Sequence, residues 1–429
     1  MSTRLRRNSG LVQSFFLALL LPSLAWAATP GFTPQLRVGF NSGDQWEPAI
    51  AADGYGHVYI LYPQYKVVPG CTSCPLPSMI LVISDDNGAT WQAPREIVPP
   101  GSGQFDPQIV VDPADHRTVY AAWLQNHKND AVVAKSADFG QSWSVVIADH
   151  GTVDADKPVL AVRAADVYLA YNRARKIMVA ASHDGGITFL PINMNPSLEL
   201  VRALAGGAAV DPKGNIFIAW AGYTRSGARK GRVNLYVSKS PDGGKTWSTS
   251  AMDASGAPPD CSAFRCEWGY LGAQITVASD GAGTLYALWN SGTADKSPER
   301  IYFASSTTAG ETWSVKAEVS SARAGTEHAF PALVAGAAGD VRIAWMDTRN
   351  APWWNTFYRS STNGGATWSL ESKLSSFAPG YRYIQSSGFA FPFGDYFEMA
   401  IDSKTATQAV WGEGQNFRTP GSIWYSSGR

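Results

Sequence analysis

The chain has 429 residues, with 35 basic and 35 acidic side chains, 41 glycines and 12% aromatic residues. A chain with no net charge lacks the basic excess that neutralises nucleic-acid phosphates, so composition argues against a nucleic-acid-binding protein. Many glycines together with many aromatic residues favour a turn-rich, all-β protein with a large core.

The first 27 residues predict a secretory signal peptide. Basic residues precede an apolar run from Phe15 to Leu21, and Ala25-Trp26-Ala27 offers a cleavage site between small residues. The apolar run is much shorter than the ~20 residues that cross a membrane, so no membrane span is expected. We therefore expect an exported protein, secreted or periplasmic.

The four cysteines fall into two pairs that are close in sequence, Cys71 with Cys74 and Cys261 with Cys266. Export to an oxidising compartment predicts disulfides, and the short spacing predicts that each pair closes its own loop. The alternative is a zinc ion held by all four thiolates, because two short-spaced pairs could converge.

An eight-residue turn pattern, Ser-x-Asp-x-Gly-x-Thr-Trp, occurs at residues 240–247. The side chains of Ser240 and Asp242 are placed to accept backbone N–H groups two residues on, and Gly244 supplies the positive φ of a tight turn. Five further copies, some weaker, begin at Ser84, Ser136, Ser182, Ser306 and Ser361. Six hairpin caps of one kind predict a repeat architecture rather than a local turn.

This pattern resembles the Asp box, also called the bacterial neuraminidase repeat, of propeller proteins in the sialidase superfamily. The resemblance covers about residues 33–429 and implies an all-β propeller. In that family the boxes lie on the face opposite the active site. The acids and tryptophans of the boxes are therefore expected to be structural and not to bind sugar.

The blades can also be counted without the boxes. Seven apolar inner strands begin near Glu47, Asp106, Lys157, Gly207, Gly272, Phe330 and Gly394. Nearly all are followed by a turn and a second strand with alternating polarity. The strand count predicts seven blades in one domain over residues 28–429, whereas six boxes alone suggest the six blades usual in sialidases. Residues 35–42 are expected to complete the last blade beside 422–427, because closing the ring protects its edges.

Candidate catalytic residues lie at the entries to the inner strands, on the face away from the boxes. They are Glu47, Asp106, Asp156, His328 and Asp395. Carboxyl groups that converge on one axis raise one another's pKa, which gives the proton donor and the ionised partner of glycoside hydrolysis. A divalent cation such as calcium in the same ring is the alternative, and no other cofactor or metal is expected.

Three arginines, Arg349, Arg225 and Arg382, are candidates for binding a substrate carboxylate, as three arginines do in sialidases. Trp411 is expected at the rim of the same funnel. The sialidase Arg-Ile-Pro motif has no full counterpart, because its nearest match, Leu36-Arg37-Val38, lacks the proline. This departure leaves the substrate open.

Three functions follow from this pattern. The first is an exo-acting glycoside hydrolase of sialidase type, and the second is a polysaccharide lyase like the seven-bladed ulvan lyases, with His127 or His328 and Tyr171 abstracting a proton. The third is a non-catalytic propeller that binds glycan or protein. We expect a monomer that acts on a glycan. Three arginines in one pocket would favour the hydrolase, one arginine with a histidine and a tyrosine would favour the lyase, and none would favour the binding protein.

Overall fold

The computed structural model describes residues 31–99, 101–195, 200–224, 231–259, 272–350, 353–375, 394, 396–414 and 421–428. Over these ranges the chain forms strands and turns only, with no helix that could cross a membrane. The strands form seven sheets, each a blade of one propeller.

Within most blades, consecutive strands pair as antiparallel neighbours from the axis outward. Blade 1 contains β2 (Asp44–Gln45), β3 (Ala49–Ala52), β4 (Val58–Tyr65), β5 (Ser78–Ser84) and β6 (Arg95–Glu96). Blade 2 contains β7 (Gln104–Val111), β8 (Val119–Gln125), β9 (Asp130–Ser136) and β10 (Ser144–His150). Blade 3 contains β11 (Ala155–Arg163), β12 (Asp166–Arg173), β13 (Lys176–Ser182) and β14 (Leu190–Asn193).

The next three blades repeat this order. Blade 4 contains β15 (Arg202–Val210), β16 (Ile216–Tyr223), β17 (Val233–Ser240) and β18 (Ser248–Ser255). Blade 5 contains β19 (Ile275–Ser279), β20 (Leu285–Ser291), β21 (Arg300–Ser306) and β22 (Ala317–Glu318). Blade 6 contains β23 (His328–Ala335), β24 (Val341–Asn350), β25 (Trp353–Ser361) and β26 (Ser372–Lys373).

Blade 7 combines both ends of the described chain. Its inner strands are β27 (Glu398–Ile401), β28 (Thr407–Gly414) and β29 (Gly421–Gly428), and its outer strand is β1 (Leu36–Arg37). Leu36 lies opposite Tyr425, and the Val38 N–H donates to the Ile423 carbonyl at 3.0 Å. The seven-blade count and the closure by the N-terminal strand are both confirmed, and the six-blade alternative is wrong.

The box turns join the third strand of a blade to the fourth. In the copy at 240–247, the Gly244 N–H donates to Ser240 Oγ at 2.9 Å and the Thr246 N–H donates to Asp242 Oδ1 at 2.9 Å. Gly244 has a φ of 85°, in the left-handed region that glycine adopts without steric cost. These bonds satisfy the turn from within, so the boxes define one face of the propeller.

The core lies between neighbouring blades, and one position repeats in all seven. Each second strand carries a buried aromatic residue four positions after its first apolar residue, or after Thr407 in blade 7. Each of these aromatic side chains is no more than 1% exposed. These residues are Tyr62, Trp123, Tyr171, Trp220, Trp289, Trp345 and Trp411. Strand alternation turns them toward the adjacent blade, where they fill the space between the sheets.

Candidate active site

The inner strands enter the propeller through an unusual backbone conformation. Glu47, Asp106 and Lys157 each precede a proline and have φ values of 53°, 55° and 52°, and Phe330 has 57°. Non-glycine residues in this left-handed region cost roughly 1–2 kcal/mol each. The strand register shifts at the same place in the blades of Asp106, Lys157 and Phe330. Repeated strain at the axial end of the inner strands marks this face as a candidate site.

Charged groups from three blades meet at this end of the axis. Lys128 Nζ donates to Asp106 Oδ2 at 3.0 Å and to Asp156 Oδ1 at 3.2 Å, and Arg202 Nη2 donates to Asp156 Oδ2 at 2.7 Å. Asp106 and Asp156 stand at inner-strand entries, whereas Lys128 lies in the loop between β8 and β9. We call these four residues, with Glu47 and Tyr65 of blade 1, the axial-mouth cluster.

Asp156 of this cluster is held ionised. Burial alone would raise the pKa of Asp156, but the positive charges of Lys128 and Arg202 outweigh it and hold the pKa below its usual value. For Lys128, burial would lower the pKa, but the charges of Asp106 and Asp156 raise it well above its usual value. The ion pair between Lys128 and Asp156 therefore stays charged at neutral pH.

Tyr65 connects the cluster to blade 1. Its ring stacks on the indole of Trp46, with ring centroids 4.5 Å apart. Burial, reinforced by the charges of Glu47 and Asp106, raises the pKa of Tyr65 well above its usual value. The phenol therefore keeps its proton at neutral pH.

A cavity of about 310 Å³ runs along the axis and is lined by inner strands of the propeller. Glu398 lies in its wall, where Oε1 accepts from Gln108 Nε2 at 2.7 Å and Oε2 accepts from the Ile50 N–H at 3.2 Å. Burial raises the pKa of Glu398 to about 7. A carboxyl group with a pKa near neutrality thus lies in the wall of the axial cavity.

The cavity wall and the axial mouth are directly linked. Gln108 follows Asp106 by two residues on β7, and the Tyr396 hydroxyl donates to the Pro107 carbonyl at 3.3 Å. The ammonium of Lys157 lies 4.7 Å from the centre of the Tyr396 ring, a cation–π contact. Glu398 is therefore linked through Gln108 to the strand that carries Asp106.

The structure brings together Glu47, Asp106 and Asp156 from the predicted catalytic set. His328 and Arg349 are elsewhere: their side chains contact Ser320 and Asp347, between blades 5 and 6. Their side-chain hydrogen bonds and ion pairs connect them to residues of blades 5 and 6, so a single funnel containing all five predicted catalytic residues is not observed in the described part. Asp395, Arg225 and Arg382 lie outside the described residues.

The prediction that Trp411 lines a rim is wrong, because its ring is completely buried. Its indole N–H donates to Glu413 Oε2 at 2.8 Å, and burial raises the pKa of Glu413 to about 8. Tyr171 is equally buried, and its hydroxyl donates to Asp149 Oδ2 at 2.5 Å. Both residues belong to the ring of aromatic core positions and are closed to a sugar.

Sequence reasoning missed Tyr65, Lys128, Arg202 and Glu398. The first three lie at strand ends or in a loop, where the repeat gives no fixed spacing. Glu398 had a signal that could have been used, because it places a carboxylate in an inner strand whose counterparts are mostly apolar. A charged residue at a core position of one repeat is a reason to suspect a site.

The structure joins Cys71 and Cys74 in a disulfide. Glu96 lies beside them. Among the described residues, these three are the only cluster of His, Cys, Asp or Glu side chains close enough to bind one metal ion. Bonded sulfurs are not thiolate ligands, so this pair contributes nothing to a four-thiolate zinc site. Cys261 and Cys266 lie outside the described residues.

Comparison with known proteins identifies one family and several solved structures that are similar to this one. The model of the BNR repeat-like domain matches residues 38–270, and no curated protein matches the chain. A protein of unknown function from Dyadobacter fermentans is 14% identical, with a TM-score of 0.55 over 94% of this chain and 100% of its own. An ulvan lyase of polysaccharide lyase family PL25 is 13% identical, with a TM-score of 0.52 over 90% of this chain and 95% of its own. A Hadza microbial sialidase is 15% identical, with a TM-score of 0.45 over 90% of this chain and 65% of its own.

Proposed function

Because the chain belongs to the BNR repeat-like domain family of sialidase-superfamily propellers, we propose that it is a glycoside hydrolase for acidic glycans, with its active site at the axial-mouth cluster. The relatives include sialidases and a polysaccharide lyase, which agrees with a glycan substrate. Fold alone does not give the reaction, so the proposal depends on the chemistry of the cluster.

One observation carries the proposal: carboxyl groups near the axis of the propeller have opposite protonation states. Asp156 is held ionised by two cations, while Glu398 has a pKa of about 7 in the cavity wall. Glycoside hydrolysis uses such a pair, because one carboxyl group protonates the leaving oxygen and a carboxylate faces the positive charge that develops on the sugar. In this reading Glu398 is the acid, and Asp106 with Asp156 provides the negative charge.

The cations of the site favour an anionic substrate. Lys128, Lys157 and Arg202 bring three positive charges to the same end of the axis as the acids. Arg202 offers the planar donor fork that matches a carboxylate. Only one arginine of the described chain is in the cluster, so binding of the sugar carboxylate would differ from the three-arginine arrangement of sialidases.

The proposal is tested by screening the purified protein against fluorogenic sialosides and acidic polysaccharides. We expect release of a saturated reducing sugar, with turnover falling as the pH rises through about 7, because Glu398 then loses the proton it must donate. Glu398→Gln should lower turnover by about 10²-fold or more, the usual contribution of a positioned acid. The matched control is Glu311→Gln, the same change at an exposed position in the box turn of blade 5. A folded wild-type protein that binds these glycans without cleaving any would contradict the proposal and favour a binding propeller.

A lyase is the second candidate, favoured by the neutral phenol of Tyr65 near the cation Lys128. Elimination from a uronate needs a positive charge that neutralises its carboxylate. It also needs a base that removes the proton from the carbon next to that carboxylate. Tyr171 and His328, the residues first considered for that step, are completely buried, which leaves Tyr65 and the exposed His127. The products decide between the two reactions, because a lyase leaves an unsaturated uronate that absorbs ultraviolet light and a hydrolase does not.

A further inference from the structure

A second polar cluster lies on the same face between blades 5 and 6. Ser320 is in the connection from β22 to β23, and it is partly exposed, whereas His328 at the start of β23 is fully buried. His328 Nε2 lies 2.8 Å from Ser320 Oγ. A serine hydroxyl at hydrogen-bond distance from an imidazole is the arrangement of a nucleophile and its base.

The contacts of His328 determine which nitrogen carries the proton. Nδ1 lies 2.9 Å from the Glu299 carbonyl and 3.1 Å from the Thr326 carbonyl. Carbonyl oxygens only accept, so Nδ1 must be the donor and Nε2 of the neutral ring must be the acceptor. The Ser320 hydroxyl therefore donates to Nε2, which is the direction of proton transfer that activates a serine.

Two donors converge on the serine oxygen itself. Arg349 Nη2 lies 3.2 Å from Ser320 Oγ, and the Ala322 N–H donates to the same oxygen at 3.1 Å. Arg349 is held in place by Asp347, whose Oδ2 accepts from Nη2 at 2.6 Å, and by Glu371. A fixed guanidinium beside the nucleophile stabilises negative charge on an oxygen at that point.

We propose that Ser320 and His328 form a second catalytic site, one that hydrolyses an O-acyl ester. Ser320 Oγ bonds to the acyl carbon as its proton passes to His328 Nε2, and the negative carbonyl oxygen that results is stabilised by Arg349. The C–O bond to the alcohol then breaks, and the alcohol oxygen takes the proton from His328. Water repeats the sequence on the acyl-serine, giving a carboxylic acid and free Ser320, so atoms and protons balance.

This inference does not depend on the glycosidase proposal, because it shares no residue with the axial-mouth cluster. The simpler alternative is that His328 is a buried structural residue whose hydrogen bonds link the two blades. A structural role needs no reactivity at the hydroxyl of Ser320, so reactivity of that oxygen separates the two explanations.

The pH dependence of such a reaction has a direction that follows from the surroundings of His328. Burial lowers the pKa of His328 to about 4, with Asp347 raising it and Arg300 and Arg349 lowering it. The ring is therefore neutral and able to accept a proton at every pH above that value. Reactivity of Ser320 should stay constant as the pH is lowered from neutrality and should fall only near pH 4.

The test is covalent labelling of the full chain by a fluorophosphonate probe, located by peptide mass spectrometry. We expect one label per chain on the peptide that contains Ser320, and no label on Ser320→Ala. The label should be unchanged on Ser314→Ala, the control, which changes an exposed serine directly after the box turn of blade 5. p-Nitrophenyl acetate hydrolysis by Ser320→Ala should fall by about 10²-fold or more. Circular dichroism of each variant shows whether it is folded.

A folded wild-type protein that takes no label, or a label that persists in Ser320→Ala, would overturn the proposal. A labelling rate with a midpoint near the ordinary histidine pKa of about 6.5 would also contradict it, because the base would then not be the buried His328. Failure of the glycosidase screen leaves this test unaffected, since its readout is a modified serine.

Discussion

A tryptophan that donates to a carboxylate two residues later occurs in neighbouring blades, at Trp345 with Asp347 and at Trp411 with Glu413. The spacing puts both side chains on the same side of the second strand. In each pair the carboxylate satisfies an indole N–H that would otherwise be buried without a partner. These acids are therefore explained by the core.

Substituting Trp411→Phe should lower the free energy of unfolding by about 1–3 kcal/mol, because Glu413 loses its donor while it stays buried. Turnover per folded molecule should not change. Urea denaturation measures the first quantity, and Tyr55→Phe is the control because Tyr55 is 60% exposed. Unchanged stability with weakened glycan binding would show that Trp411 does line a binding surface.

The box turn is an element whose chemistry can be compared within this one chain. Asp242 accepts the N–H and the hydroxyl of Thr246, at 2.9 and 2.6 Å. In blade 6 an asparagine takes the same place, and Asn363 Oδ1 accepts the Thr367 N–H at 2.9 Å. The backbone bond of the turn therefore survives the loss of the charge.

We expect Asp242→Asn to be tolerated and Asp242→Ala to lower the unfolding midpoint, because alanine removes the acceptor of the Thr246 N–H. Thermal or urea unfolding of the two variants provides the comparison. Equal losses would mean that the charge, rather than the bond to the Thr246 N–H, stabilises the turn.

The elements were more predictable than the site. Repetition revealed the seven inner strands and the box turns, and the absence of an outer strand in the last blade indicated that residues 35–42 close it. The place of Trp411 near the end of a second strand predicts a rim position, but its side chain is turned into the core. Lys128 and Arg202 could not be found in this way, because loop and strand-end residues from different blades meet only in three dimensions.

At the scale of the whole molecule, two sets of acids set opposite limits on stability. Burial raises the pKa of Glu299 and of Glu413 to about 8, above the roughly 4.3 of an unfolded glutamate. Their contribution to the free energy of unfolding is therefore full below about pH 4.3 and is lost as the pH rises from there through 8. Asp242 has its pKa lowered to about 2, chiefly by the Thr246 hydroxyl, so its contribution is lost as the pH falls through 2.

The free energy of unfolding should therefore be greatest in mildly acidic solution, at about pH 4–5, and should decline toward pH 8. Urea midpoints across the pH range test this, and Glu413→Gln should flatten the decline because an amide does not titrate. A stability that rises steadily from acid to pH 8 would contradict the assignment of protonated carboxyl groups in the folded state.

We expect the two faces of the propeller to differ in role, with catalysis at the axial mouth and a structural role for the boxes. The most direct test is turnover per folded molecule of Asp106→Asn compared with Asp242→Asn, on an acidic glycan that the wild-type protein cleaves. We expect Asp106→Asn to lose about 10²-fold or more, because Lys128 and the developing charge on the sugar lose a carboxylate, while Asp242→Asn stays at the wild-type rate. Full turnover in Asp106→Asn with a large loss in Asp242→Asn would contradict the assignment of the two faces.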